Sequence, residues 1–355
     1  MKEVRRLSPI MLGALVMLTA CGGGGGGGGG GFPMLPAAPP PSAAGPAPAP
    51  APSDPEPGPT DPETNPPERP MVTTPYSFKL GSANALDFSA FMTELQGSEM
   101  AGHLLDLTIP LRVSPTIEGR AVYRRQGTTA AYLHRTVPAT EALSLASLQS
   151  QGAEGYRISG NPFALDAGTY KTIFSKDVGQ DVRYEYIDAG KLPRERAEMA
   201  SFLESVNRLG QQGYCAATMV PGSDVWGALV LGREKPTTAR CSFEFLPMTT
   251  TYAGFIAEGT ERGASGKKYA GTGAGIDGIS LGLFVRDDSQ KSTFKYYATE
   301  YTSTAEPGSI EQASDFVKIL NREGALGSRP FQQYQENNRY YMIFTTSYDC
   351  KGLLC

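Results

Sequence analysis

From residue 76 onward the chain switches between two hydrophobic periods, and it does so about five times. Alternation of aromatic and polar residues marks Tyr76–Leu80, Tyr132–Arg135, Arg183–Ile187, Ser242–Leu246 and Phe294–Tyr297 as half-buried strands. Helical spacing follows. Phe88, Phe91, Met92 and Leu95 fall at i, i+3, i+4 and i+7; Met199, Phe202, Leu203 and Val206 repeat that stripe behind Pro193. Ala313, Phe316, Val317 and Leu320 repeat it again, with Ser309 and Gln312 spaced as a capping box. The stripes are plain aliphatic and aromatic residues, which makes them core positions. A short, glycine-broken helix is expected near Phe255–Arg262. Each segment then closes on an apolar strand: Ala121–Arg124, Tyr170–Phe174, Gly227–Leu231, Leu281–Val285 and Tyr340–Phe344.

A glycine pair punctuates the helix ends. Gly152–Tyr156, Gly210–Tyr214 and Gly324–Ser328 share the spacing G-x-x-G, with looser versions at Glu99–His103 and Gly263–Lys267. The first glycine, just after a helix, is expected to take the left-handed conformation that stops it, and the second to permit a tight entry to the next strand. These features predict an α+β protein of about five tandem strand–helix–strand–strand units, each roughly 50 residues long. Their bounds are 76–130, 131–181, 182–236, 237–290 and 291–355. The pattern resembles a small family of uncharacterised bacterial domains, which pair a Tyr-rich first strand with a helix ending in a Gly-Ala-Glu-Gly-aromatic turn. Gly152-Ala153-Glu154-Gly155-Tyr156 carries the likeness best. That resemblance implies a fold and no activity. One helix on three strands is a small core, so neighbouring units are expected to pack into an array.

Upstream, Lys2, Arg5 and Arg6 precede an apolar run from Ile10 to Ala20. The run is shorter than the about 20 residues a membrane-spanning helix needs, and it has the make-up of a secretory signal. Leu18-Thr19-Ala20-Cys21 resembles the lipobox of bacterial lipoproteins. The resemblance implies that residues 1–20 are removed and that Cys21 is acylated, so that the protein is anchored to a membrane without spanning it. In that family an aspartate after the cysteine signals inner-membrane retention. Gly22 stands there, which implies the outer membrane, facing either the periplasm or the cell surface. Gly22–Gly31 are ten consecutive glycines, resembling the tethers of surface-displayed lipoproteins, and Phe32–Pro75 holds 17 of the 28 prolines. Residues 21–75 therefore read as a disordered tether that builds no core and, extended at about 3.1 Å per residue, reaches on the order of 100 Å.

The formal charge of −4 becomes −6 once residues 1–20, with their net +2, are removed; the tether carries most of it. The folded part is near neutral and lacks the basic field that collects nucleic acid. Besides Cys21 there are Cys215, Cys241, Cys350 and Cys355. Four cysteines in an exported protein read as two disulfides, and of three pairings the local one, Cys215–Cys241 with Cys350–Cys355, is favoured. A zinc site is disfavoured: paired CxxC spacing is missing, and His103 and His134 lie far away in sequence.

No motif marks a reaction. Gly273–Gly278 matches G-x-G-x-x-G, but an apolar strand follows where a dinucleotide site needs a helix. Gly263–Lys268 lacks the first glycine and the Ser/Thr of a phosphate loop. His103 and His134 sit in strand patterns with no flanking nucleophile, and Trp226 reads as core or sheet filler. Neither a catalytic residue nor a cofactor or metal is expected. Tyrosines recur on first and last strands: Tyr184, Tyr186, Tyr296, Tyr297, Tyr301, Tyr340 and Tyr341. They are a candidate binding face, the alternative being cross-strand pairing within a sheet. The functional expectation is a non-enzymatic outer-membrane lipoprotein presenting a binding or scaffold module to a protein, cell-wall or host partner. The alternative is a periplasmic enzyme, or an accessory subunit of an envelope complex, with a site between units.

Overall fold

The computed structural model describes residues 72–355 except 98–99, 114–115, 128–130, 143, 160–162, 166–168, 221–227, 250, 277–278, 304, 307 and 337–338. The signal, Cys21, almost all of the tether and Trp226 lie outside the described residues. The first group of elements is β1 (Tyr76–Asn84), α1 (Phe88–Gln96), β2 (His103–Val113) and β3 (Thr116–Gln126). The second is β4 (Tyr132–Pro138), α2 (Ala139–Ala142), α3 (Leu145–Ala153), β5 (Arg157–Ile158), β6 (Phe163–Leu165) and β7 (Thr169–Asp177). The third is β8 (Arg183–Lys191), α4 (Arg196–Gly210), β9 (Ala216–Val220) and β10 (Ala228–Lys235). The fourth is β11 (Cys241–Pro247), α5 (Tyr252–Ala264), β12 (Lys268–Ile276) and β13 (Ile279–Asp287). The fifth is β14 (Thr293–Tyr301), α6 (Ile310–Ala325), β15 (Ser328–Glu336) and β16 (Arg339–Tyr348).

Each group makes one small antiparallel sheet with its last strand in the middle. The orders are β1-β3-β2, β8-β10-β9, β11-β13-β12 and β14-β16-β15, while β7 pairs with β4 on one side and with β5 and β6 on the other. This explains why the closing strands are continuously apolar. A central strand covered on both faces has no polar side. Val122 and Tyr123, Ile173 and Phe174, Leu229–Leu231, Leu283–Val285 and Met342–Phe344 are all buried.

That order leaves the first strand of every sheet at an edge, with unpaired N–H and C=O groups that need cover. The helix of the preceding group supplies it. Gly152, Gly210, Gly263 and Gly324, the first glycine of each G-x-x-G, lie against the carbonyls of Tyr184, Cys241, Phe294 and Tyr76, so closely that a Cβ would come within 3.0 Å of each. Three residues earlier a polar side chain holds the same edge. Asn321 accepts from the Phe78 N–H at 2.8 Å and donates to its carbonyl at 2.9 Å. Asn207 does the same to Phe243 at 2.6 and 3.1 Å, and Thr260 to Tyr296 at 3.0 and 2.8 Å. Gln149 donates to the Tyr186 carbonyl at 3.2 Å. The second glycine, and not the first as expected, stops the helix, because the first is still helical and is spent on close approach to the neighbouring strand: Gly155, Gly213, Gly266 and Gly327 have φ between +81° and +92°. At Gly155 and Gly266 the following residue bonds back to the 151 and 262 carbonyls, as in a Schellman cap.

The clasp of α6 falls on β1, so the last group returns to the first and residues 72–355 close into a ring. The cores sit between groups. Phe316, Val317 and Leu320 of α6 pack on Tyr76, Phe78 and Val122. Val206 of α4 packs with Phe243, Leu283 and Val285, and Leu148 of α3 with Val230 and Tyr186. The contact from the first group to the second differs. Glu99 stands where the others have glycine, α1 ends at Gln96, and the join is made by Phe91 and Leu95 with Ile173 and by Lys171 over the Phe88 ring at 4.2 Å.

Two further expectations need correction. The fourth helix is not short or broken: α5 runs unbroken for 13 residues, because Gly259 and Gly263 admit the Tyr296 ring and the β14 backbone rather than ending the helix. The capping box at α6 is shifted by one. Ser309 accepts from Gln312 N at 3.1 Å, but Gln312 Oε1 takes the N–H of Gly308 instead of that of Ser309.

Both disulfides form as expected, Cys215–Cys241 and Cys350–Cys355. Cys241 is also the residue whose carbonyl meets Gly210, so the first bond ties the third group to the fourth at their clasp. Closing a loop with a sequence separation of 26 contributes about 3.5 kcal/mol in the chain-entropy picture. Replacing both Cys215 and Cys241 by Ser should lower the urea midpoint accordingly while Cys350–Cys355 stays intact.

A candidate site at the ring axis

The residue two places after the second glycine starts the second strand of each sheet at the same end of the ring. It is Leu104, Arg157, Cys215, Lys268 and Arg329 in turn. Arg124 joins them because it pairs with Leu104 across β2 and β3, and Asp106 because an irregularity in the pairing between Leu105 and Leu107 turns it inward. Four of these charged groups are buried: Asp106, Arg124, Lys268 and Arg329, the most exposed at 9%.

Arg124 Nε lies 2.8 Å from Asp106 Oδ1. The Tyr76 ring takes two cations, Arg124 at 5.2 Å and Arg329 at 5.8 Å from its centroid. The remaining contacts come from the end of the chain. After β16 the segment Cys350–Cys355 folds back through a 3-10 turn, Gly352–Leu354, and buries Leu354 among Leu229, Leu231 and Ala270. Gln290 of the fourth group holds Lys351 by both its N–H and its carbonyl. Two consecutive main-chain oxygens then point at the axis: Lys268 Nζ donates to the Leu354 oxygen and an Arg329 N–H donates to the Cys355 oxygen at 2.7 Å.

Burial dominates the electrostatics. It pushes the Lys268 amine down to about 7, with Arg329 and Arg124 adding repulsion, and it brings Arg329 down to about 10, again with Arg124 opposing its charge. Asp106 is raised by burial in spite of its pairing with Arg124, and its Oδ2 finds no hydrogen-bond partner among the described residues. Glu234, at the edge of the cluster, is also raised by burial, partly offset by Arg157.

The candidate aromatic face is not one face. Tyr184 and Tyr296 are buried at the clasps, and Tyr186 packs in the core between the second and third groups. Tyr297 turns its hydroxyl to Glu323 and Ser328, both at 2.8 Å, and Tyr301 donates to the Gln312 carbonyl. The edge position of the first strands is the reason: the face expected to meet solvent is covered by the neighbouring helix. Tyr340 remains exposed at 45%, next to a stack in which Tyr341 lies 5.0 Å from Tyr334 and Tyr334 lies 4.0 Å from Tyr252. His103 and His134 are strand residues, as expected, His134 Nδ1 lying 2.7 Å from Ser175 Oγ. Gly273–Ile276 lie within β12, and Asp277–Gly278 fall outside the described residues. Among the described residues no group of three or more His, Cys, Asp or Glu is placed to hold a metal ion.

The axial cations were missed in the sequence, though a signal was present: three of five positions two residues after a G-x-x-G turn are Arg or Lys. Comparison of the chain with protein-family models, with curated proteins and with solved structures finds no match.

Proposed function

We propose that the protein is a lipid-anchored lipoprotein of the outer membrane that holds a rigid, non-enzymatic ring on a long tether, as a binding or scaffold module. We also infer that the five groups are tandem copies of one unit. The observation that carries this reading is the clasp, a polar residue and a glycine three positions apart on one helix gripping the edge strand of the next group, seen at the ends of α3, α4, α5 and α6. Cores shared between neighbours make the ring a single body, which suits presentation of a fixed surface at the end of a flexible spacer. Attachment is assigned to acylation of Cys21, on the likeness of Leu18-Thr19-Ala20-Cys21 to a lipobox. Stable anchoring takes two acyl chains or more.

Cys21→Ser should abolish incorporation of labelled palmitate and release the protein from the membrane fraction, leaving the folded ring intact by circular dichroism. Incorporation unchanged in that variant overturns the anchor. Protease added to intact cells, and again after the outer membrane is permeabilised, separates a surface-facing ring from a periplasmic one.

A further inference from the structure

We propose that the ring has one opening point, the join between its first and second groups, and that protonation of His134 favours the open form.

That join is held differently from the rest. α1 meets β4 over a shorter stretch than α3, α4, α5 and α6 meet β8, β11, β14 and β1. β4 has no buried residue, whereas every other first strand has at least one. The rows of the sheets show what is missing. Phe78, Phe243 and Tyr296 pair with Arg124, Val285 and Thr345 of the central strands, which pair in turn with Leu104, Lys268 and Arg329. Both main-chain groups of each are gripped, by Asn321, Asn207 and Thr260. His134 holds the same row, since it pairs with Ser175 and Ser175 with Arg157. Among the described residues no side chain of the first group grips its main chain. The direction is reversed instead: the His134 ring reaches the His103 main chain, while its Nδ1 lies 2.7 Å from Ser175 Oγ. Four joins thus use amide and hydroxyl side chains that do not titrate, and one uses an imidazole that does.

Burial holds His134 uncharged, and its ring regains water when the two groups part. The open join restores the ordinary value of 6.5, so opening takes up a proton as the pH falls below that value. Arg157, Lys171 and Asp177 share its face of the second sheet, with Tyr132 beside it. From the first group Lys79 and Arg125 act on His103, and Arg124 acts on Tyr132. Glu94, the one charged residue of α1, is bonded to Ser82, Ala83 and Tyr123. His103, the other imidazole at the join, is likewise held down, first by burial. Opening bares the edge of β4 and the apolar side chains of Phe91, Leu95 and Ile173, and it breaks none of the four clasps. The inference uses neither the lipid anchor nor the binding reading, so a failure of either leaves it standing.

The test is labelling of a buried thiol by a neutral disulfide reagent, dithiodipyridine, on the full chain carrying Cys21→Ser. Ser159→Cys places the thiol at the join, because Ser159 is buried beside Ser175. Ser292→Cys places it next to the Gly266 turn, at the clasped join of the fourth and fifth groups. Rates are measured in dilute urea at pH 7.5 and 5 and divided by those of the unfolded chain at the same pH. Ser159→Cys should label at least tenfold faster than Ser292→Cys and almost independently of urea, as a local opening exposes little surface. Its rate should rise about tenfold between pH 7.5 and 5, and adding His134→Gln should remove that rise. Equal rates at the two positions with the same urea dependence overturn the proposal, because both thiols would then react only through global unfolding. So does a local opening at Ser159→Cys that ignores pH, or one whose pH response survives His134→Gln. If His134→Gln does not fold, the comparison of the two positions and of the two pH values in the parent decides by itself.

Discussion

Gly263→Ala should destabilise the ring by about 3 kcal/mol, although alanine is the better helix former by about 1 kcal/mol. The sign is the point. On an exposed helix the substitution would stabilise, whereas here the added Cβ would sit within 3.0 Å of the Phe294 carbonyl carbon and oxygen. Backbone on the opposite side cannot swing away as a side chain could. Relief requires α5 to lift from β14, which breaks both Thr260 bonds to Tyr296 and loosens the Phe255–Tyr296 contact at 5.8 Å. At roughly 2–4 °C per kcal/mol for a chain of this size, thermal unfolding should shift down by about 6–12 °C. Gly179→Ala is the control: its Cβ would meet only an Asp177 carboxylate oxygen at 3.4 Å, and the midpoint should hardly move. An unchanged midpoint for Gly263→Ala would mean that the clasp contributes little to closure.

Acid should weaken the ring between pH 6.5 and 4, by about 2 kcal/mol from His134 after discounting for its partly open side. Burial holds the folded-state pKa of His134 at about 4, against 6.5 for the free residue, while a hydrogen bond with the His103 main chain acts in the opposite direction. The folded protein therefore binds fewer protons than the unfolded chain across that window. The contribution of His134 is complete above pH 6.5 and is lost as the pH falls towards 4. His103 is lowered as well, first by burial, then by the positive charges of Arg125 and Lys79. The groups around His134 are Ser175, 2.7 Å from Nδ1, and the Tyr132 ring at 6.3 Å. Both histidines of the chain thus sit between the first group and the second, the one join built without the glycine clasp. Urea unfolding measured from pH 7.5 to 4 should show a flatter decline for His134→Gln than for the parent. Parallel curves would remove His134 as the cause.

Much of the ring could be read along the chain. Four helix ends and all five central strands fall where period and punctuation place them, because an apolar stripe, a cap and a positive-φ glycine act within about one turn of the chain. Cys350–Cys355 was legible for the same reason. The errors have one source. Gly259 was read as a break in a helix and Gly263 as its end, when they are points of close approach to a ring and a carbonyl contributed by residues some thirty positions later. Tyr184 and Tyr296 were candidates for a binding face, with cross-strand pairing as the alternative, and the helix before them covers that edge.

The axis shows the same division. Arg157, Lys268 and Arg329 share a place relative to their turns, and the sequence alone determines that place. Whether three such side chains diverge into solvent or meet depends on whether the fifth group returns to the first. That closure rests on Asn321 and Gly324 meeting Phe78 and Tyr76 across a separation of some 240 residues. Period, turn chemistry and capping are local and survive in any fragment of the chain. Burial, and the charge shifts that follow from it, belong to surfaces brought together only by the closed fold.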